Sequence, residues 1–250
     1  MQVNLLQFNT LWMDPKANLE IIRTAATGIK EKDTLLVLPE MFNTGYNMHP
    51  EEIPVEWQDM TLAALAEISR DYSIGICGSI PFYKEGLWYN TFVLVDHENK
   101  QTLYDKIHLF SPAGEKAAYT EGKTTSFFTF RGWDILPLIC YDLRFPYLSF
   151  TIKLPDIIIY TANWPAARIS HWKALLIARA IENQCYVVGV NRTGSDQNGF
   201  SYTGSSMIVD YSGQIMTEMS EDSGMAGTLL EKAGMESYRK KLPFSEDRKF

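Results

Sequence analysis

Two hydrophobic periods alternate along this chain. Residues 3–8 form a short apolar run that predicts a strand. Residues 15–30 place Leu19, Ile22, Ala26 and Ile29 on one face, which predicts a helix. The helical period returns over residues 57–71. It is clearest over residues 165–184, where Ile169, Trp172, Leu175, Leu176 and Ile181 cluster. Short strand-like runs fill the intervals: 34–38, 74–80, 91–95, 102–104, 135–140, 156–161, 186–190, 206–210 and 226–230. Turns are predicted at residues 84–86 and 97–100. Strands alternating with helices predict a layered α/β fold. The length of 250 residues suits a single domain, with no internal repeat or low-complexity linker. Residues 1–235 are expected to form that domain. The charged stretch ESYRKKLPFSEDRKF, residues 236–250, reads as a surface tail or an arm that packs on a partner.

In layered α/β folds, chemistry collects just past the carboxyl ends of strands. Three predicted strands end in reactive residue types. Residues 35–38 run into Pro39 and Glu40, residues 102–104 into Asp105 and Lys106, and residues 135–139 into Cys140. Singly these mean little. A carboxylate or a lysine after a strand is most often solvated, and a lone cysteine in an apolar run is most often a small core residue. Cys77 and Cys185, inside IGICGSI and NQCYVV, take that plain reading. Cys140 differs because a polar run, Tyr141, Asp142, Leu143 and Arg144, follows it at once. The strand must end there in a sharp turn. A thiol at such a turn presents its sulfur beside unpaired N–H groups, which favour the nucleophilic thiolate. Such cysteines usually lean on a histidine, and His108 is near enough to Lys106 in sequence to leave a Cys140–His108 pair open.

Composition narrows the partners. The chain is 46% hydrophobic and 21% charged with a net charge of -7, which argues against nucleic-acid or anionic-membrane partners. Three scattered cysteines make neither a disulfide framework nor a zinc site. The start, MQVNLLQFNT, reads as a strand rather than a signal peptide, and no run approaches the ~18 apolar residues of a membrane span. A reducing cytoplasm is the expected location. Past the strand at 157–161, Asn163 and Trp164 should line the same rim. Phe42 and Tyr46, near Glu40, are candidates for an apolar pocket wall.

Four stretches together carry a family resemblance: LVLPEMFNTGY with Glu40, YDKIHLFSPAGE with Lys106 and Glu115, LICYDLRFP with Cys140, and ANWPAARISHWKALLIARAIENQCYVVGVNRTG. Glu40 and Lys106 are 66 residues apart, and Lys106 and Cys140 are 34 apart. In order and separation they resemble the nitrilase, or carbon–nitrogen hydrolase, superfamily, from the first strand to about Leu230. The resemblance implies a four-layer α-β-β-α sandwich and a Glu–Lys–Cys triad that needs no metal or organic cofactor. In it Cys140 is the nucleophile, Glu40 the general base, and Lys106 with the Tyr141 backbone N–H the oxyanion binders. Glu115 orients the substrate or Lys106. CYDLRFP, NWPAAR and HWKALLIARAIENQ look most like the ω-amidases, which cleave the terminal amide of short dicarboxylic monoamides such as 2-oxoglutaramate and succinamate. Such a small-molecule amide needs a cation or a ring of donors for its distal carboxylate. Arg168 is the candidate, whereas Arg144 is read as pairing with Asp142, Glu182 or a partner chain. A homodimer is expected. The rival readings are another superfamily reaction, on a nitrile, an N-carbamoyl compound or a different amide, a catalytically silent interaction module, and a thiol enzyme built on Cys140 and His108.

Overall fold

The computed structural model describes residues 1–249. Its strands in chain order are β1 (Gln2–Gln7), β2 (Leu35–Val37), β3 (Gly75–Lys84), β4 (Leu87–Val95), β5 (Gln101–Asp105), β6 (Phe128–Phe130) and β7 (Trp133–Ile139). There follow β8 (Ile157–Ala162), β9 (Tyr186–Asn191), β10 (Thr193–Ser195), β11 (Ser201–Thr203), β12 (Met207–Val209), β13 (Ile215–Glu218) and β14 (Gly224–Leu229). The α-helices are α1 (Pro15–Thr27), α2 (Glu56–Tyr72), α3 (Glu115–Ala118), α4 (Ile169–Asn183) and α5 (Lys232–Lys241).

Twelve of the strands form two six-stranded sheets, ordered β14-β1-β2-β3-β4-β5 and β13-β12-β9-β8-β7-β6. The centre of each is parallel: β1, β2 and β3 in the first, β7, β8 and β9 in the second. The outer strands pair antiparallel. The side-chain period of two sorts each central strand between two cores. Val3, Leu5, Leu35 and Val37 face the second sheet and join Ile135, Ile139 and Ile157. Their neighbours Leu6, Leu36 and Leu38 face outward onto Ile22 of α1 and Leu65 and Ile68 of α2. On the far side, Trp172, Leu176 and Ala180 seat α4 on the second sheet. The layers are therefore α-β-β-α. This is the sandwich that the family resemblance implies.

The elements that the hydrophobic pattern misses are those too short to show a period. β6, β10 and β11 have three residues each, and β13 is mostly exposed. The long helix predicted from residue 165 begins later. Pro165 is extended, residues 166–168 make a 3-10 turn, and Trp164 Nε1 donates to the Arg168 carbonyl at 2.8 Å, which ties the turn to the preceding strand end. The boundary expected after residue 235 falls inside α5. There Met235 is buried, and Arg239 Nε donates to the Gln184 carbonyl of the same chain at 2.8 Å. Farther on, Arg248 Nη2 donates to the Glu182 carbonyl at 2.7 Å.

Phe42 does not wall a pocket as expected. It is fully buried in the core between the first sheet and its helices, in space that Gly78 leaves open. A Cβ at residue 78 would lie 2.7 Å from Phe42 Cδ1 and 2.8 Å from Leu38 Cβ. Gly78→Ala should therefore strain the segment that leads into and out of Glu40 and cost about 1–3 kcal/mol of stability. Urea unfolding checks this; an unchanged midpoint would mean that the packing behind Glu40 is not tight.

Candidate active site

The two sheets bring their strand ends to one place. Glu40 follows β2 and Lys106 follows β5, both from the first sheet; Cys140 follows β7 and Asn163 follows β8, both from the second. Glu40, Lys106 and Glu115 are all fully buried. Lys106 Nζ lies 2.7 Å from Glu40 Oε1, and 2.9 and 2.8 Å from the two oxygens of Glu115. Asn90, inside β4, donates from Nδ2 to Glu40 Oε1 at 2.8 Å and to Glu115 Oε1 at 2.9 Å. Its carbonyl accepts the Lys106 N–H at 2.9 Å. Glu115 Oε2 also accepts from the Tyr46 hydroxyl at 2.9 Å and the Phe110 N–H at 2.6 Å. Glu40 is joined to the second sheet by Asn163, whose N–H donates to Oε2 at 2.8 Å and whose Nδ2 donates to the Glu40 carbonyl at 2.9 Å.

This clustering sets the protonation preferences. Burial would lower the Lys106 pKa, but Glu115 and Glu40 outweigh it and hold the ammonium charged well above its ordinary range. Burial raises Glu40 above the ordinary carboxylate range, with Lys106 opposing and Glu115 adding to the rise. Burial, followed by the Glu40 charge, pushes the Cys140 thiol well up against the pull of Lys106. A thiol so placed is mostly protonated at neutral pH, and a base within the cluster must take its proton when it reacts. Cys77 and Cys185 are fully buried core residues, and burial raises Cys185 to about 12.

The turn at Cys140 has the sharp geometry read from the sequence. Cys140 has φ +44°, a left-handed conformation that costs a non-glycine residue of order 1–3 kcal/mol, and it opens a 3-10 turn over Cys140–Arg144. Asp142 fixes the turn. Its buried carboxylate accepts the Ile139 N–H at 3.0 Å, the His108 N–H at 2.9 Å and the Tyr104 hydroxyl at 2.8 Å. His108 Nδ1 lies 3.1 Å from Asp142 Oδ1, and its Nε2 lies 2.6 Å from the Tyr147 hydroxyl. Both ring nitrogens are thus engaged away from the thiol, and the Cys140–His108 pair is not formed.

Above Cys140 opens a pocket with about 380 Å³ of empty space, open solvent at its mouth included. Tyr141, Asn163, Trp164, Arg168 and Tyr46 line it, together with Phe110, Arg144, Phe200 and Tyr202. Arg144 departs from the pairing expected within the chain: Asp142 is taken up by inward donors and Glu182 pairs with Arg179 at 2.9 Å, so neither of the two expected intrachain ion pairs is present among the described residues. Arg144 instead lies 3.0 Å from His171 Nδ1 and 5.0 Å from the Trp164 ring centroid, at the pocket. Arg168 lies 5.2 Å from the Phe110 ring centroid. The sequence reading missed Asn90, Phe110, Phe200 and Tyr202. Only Asn90 carried a signal, as a polar residue inside the strand run LWYNTFVLV.

Comparison with known proteins gives the family. Residues 2–240 match the Carbon-nitrogen hydrolase family, and the chain belongs to it. Omega-amidase YafV of Escherichia coli strain K12 is 40% identical over 248 residues, covering 99% of this chain and 96% of that protein. The 2-oxoglutaramate amidase of Bacillus subtilis is 31% identical, covering 98% of this chain and 96% of that protein. The crystal structure of XC1258 from Xanthomonas campestris, a CN-hydrolase superfamily protein with an arsenic adduct in its active site, superposes with a TM-score of 0.95. It is 30% identical and covers 100% of this chain and 97% of that chain.

Asp142→Ala should strip the acceptor from the Ile139 and His108 N–H groups and the Tyr104 hydroxyl, lowering stability by about 3–5 kcal/mol. Denaturant unfolding measures it. A loss below ~1 kcal/mol would show that the nucleophile turn is held by something else.

Proposed function

We propose that this protein is an amidohydrolase that cleaves the terminal amide of short dicarboxylic acid monoamides, 2-oxoglutaramate and succinamate among them, to the acid and ammonia. The observation that carries the reading is a buried Glu40–Lys106–Glu115 cluster, joined through Asn163 and Tyr46 to a small pocket that holds a thiol and two arginines with no carboxylate partner among the described residues. An amide is a poor electrophile with a poor leaving group, so its hydrolysis needs a nucleophile, a proton shuttle and an oxyanion site.

Cys140 attacks the amide carbon as Glu40 takes the thiol proton. The carbonyl oxygen becomes an oxyanion held by the Lys106 ammonium and the Tyr141 N–H; one such donor is worth roughly 3–4 kcal/mol in the transition state. Collapse breaks the C–N bond, the proton passes from Glu40 to nitrogen, and ammonia leaves a thioester. Glu40 then takes a proton from water, whose hydroxyl adds to the thioester, and the sulfur departs and is reprotonated. Glu115 orients Lys106, and Tyr46 orients Glu115.

Arg168 and Arg144 suit the distal carboxylate. The names of the relatives from E. coli and B. subtilis support this substrate class. A cytoplasmic location and a homodimer belong to the same reading. Among the described residues no helix is long and apolar enough to cross a membrane, and Tyr147 and Ile152, exposed after the nucleophile turn, suit contact with a second copy.

Ammonia release is the test, with 2-oxoglutaramate, succinamate, glutamine, a simple nitrile and an N-carbamoyl amino acid as substrates. The first two should turn over fastest, and Cys140→Ala and Lys106→Met should each lose more than about 10³-fold in kcat. Arg168→Met and Arg144→Met should raise KM for the two acidic amides more than they lower kcat. Turnover of only the nitrile or carbamoyl compound would overturn the substrate class.

A further inference from the structure

Glu40 has two oxygens in different surroundings. Oε1 accepts from both Lys106 Nζ and Asn90 Nδ2, at 2.7 and 2.8 Å. Oε2 accepts only the Asn163 N–H, at 2.8 Å, among the described contacts. A carboxylate oxygen offers about two lone-pair sites, so Oε1 is filled and Oε2 keeps one free. Oε2 is the oxygen on the side of Cys140, because the Asn163 N–H that donates to it is also close enough to the sulfur to favour the Cys140 thiolate.

What fills Oε1 beyond the ammonium is Asn90. The residue is fully buried, and Nδ2 is held between Glu40 Oε1 and Glu115 Oε1. The opposite amide orientation would turn a carbonyl oxygen against two carboxylates. Among the described residues Asn90 Oδ1 has no partner, so the side chain accepts an unsatisfied buried acceptor in order to place both N–H groups on the acids. A neutral donor suits this place: it occupies lone pairs on both acids without adding a charge that would compete with Lys106 for them.

We propose that Asn90 is a positioning residue that, with Lys106, occupies Glu40 Oε1 and so makes Oε2 the oxygen that takes the thiol proton. The proposal rests on the reading of Glu40 as the base. Asn90 acts through Glu40 and Glu115 and touches no reacting atom.

The test uses Asn90→Leu, of similar size without a donor, and Asn90→Asp, of the same shape with an acceptor in place of the donor. Two pH profiles are measured: kcat/KM for succinamate, and the rate of Cys140 alkylation by iodoacetamide, which needs no substrate. Loss of a donor to a carboxylate disfavours its charged form, so the Glu40 pKa rises and the base stays protonated to higher pH. The acid limb of both profiles should therefore move up by about one to two pH units in Asn90→Leu and farther in Asn90→Asp. In Asn90→Leu, kcat at pH 7 should fall ~10–100-fold with KM within about threefold. Should one variant fail to fold, the other decides the question. A variant that folds with the wild-type acid limb in both profiles reduces Asn90 to packing and overturns the proposal. Full activity in Glu40→Gln would instead remove the base itself. If no amide is turned over but alkylation shifts as stated, the positioning role stands and the substrate class fails.

Discussion

One buried ammonium organises this molecule. Lys106 is fully buried, and removing a charge of its size from bulk water costs several kcal/mol unless its partners are close and well oriented. It meets three carboxylate oxygens within 2.9 Å, from Glu40 and Glu115. Neither acid is stable there without the lysine, and the lysine is unstable without both. The cluster is therefore all or nothing. That is why residues from β2, β4, β5 and the start of α3 must be in place together. The second sheet is tied in through Asn163, which follows β8 and donates to Glu40 from both its backbone and its side chain. The site is thus also a fastening between the two sheets at their carboxyl ends.

A second carboxylate does a different job a short distance away. Asp142 receives the backbone N–H groups of Ile139 and His108 and the Tyr104 hydroxyl, with the His108 ring nitrogen Nδ1 3.1 Å away. It meets no lysine or arginine among the described ion pairs, and the imidazole of His108 is the only ionisable base beside it. These bonds offset the left-handed backbone of Cys140, so the turn that displays the thiol is held by a carboxylate outside the Lys106 cluster. The division follows from donor type: a strongly basic ammonium for the acid beside the thiol, backbone amides for the acid that holds the backbone.

The strand ends were legible in the sequence because an apolar run that stops at a charged residue is visible without neighbours. Glu40, Lys106 and Cys140 are all of this kind. Glu115 was legible only through the family resemblance, since it opens a helix of four residues that has no period of its own. Asn90 lies within a strand, where a polar residue usually faces solvent; that it faces inward depends on the register of β4 against β3 and β5. The direction of Arg144 was misread for a related reason. Asp142 is its near neighbour in sequence, but the tight turn points the carboxylate inward and the guanidinium toward the pocket. Phe42 went the other way, into a core that exists because residue 78 has no side chain. In each miss the deciding partner is distant in sequence.

The pocket mouth shows how a chain with net charge -7 can present positive charge to an anion. Long-range attraction is unfavourable, so the cation must act locally. A guanidinium paired with a carboxylate would be neutralised, and one free in solvent would lose rotamer entropy on binding. Arg144 and Arg168 avoid both. Arg144 lies against the face of Trp164 and Arg168 against that of Phe110. Ring contact orients a planar cation without using its N–H edge, of which Arg144 places one nitrogen 3.0 Å from His171 Nδ1. Trp164 is itself fixed, because its Nε1 donates to the Arg168 carbonyl and its backbone N–H donates to Asn191 Oδ1 at 2.7 Å. Arg168, Trp164 and Arg144 are therefore coupled in position, although Arg144 comes from the nucleophile turn and Arg168 from the turn before α4. A carboxylate held by both would sit at a set distance from Cys140, so a ligand's chain length, rather than its charge alone, would decide whether its amide carbon reaches the sulfur.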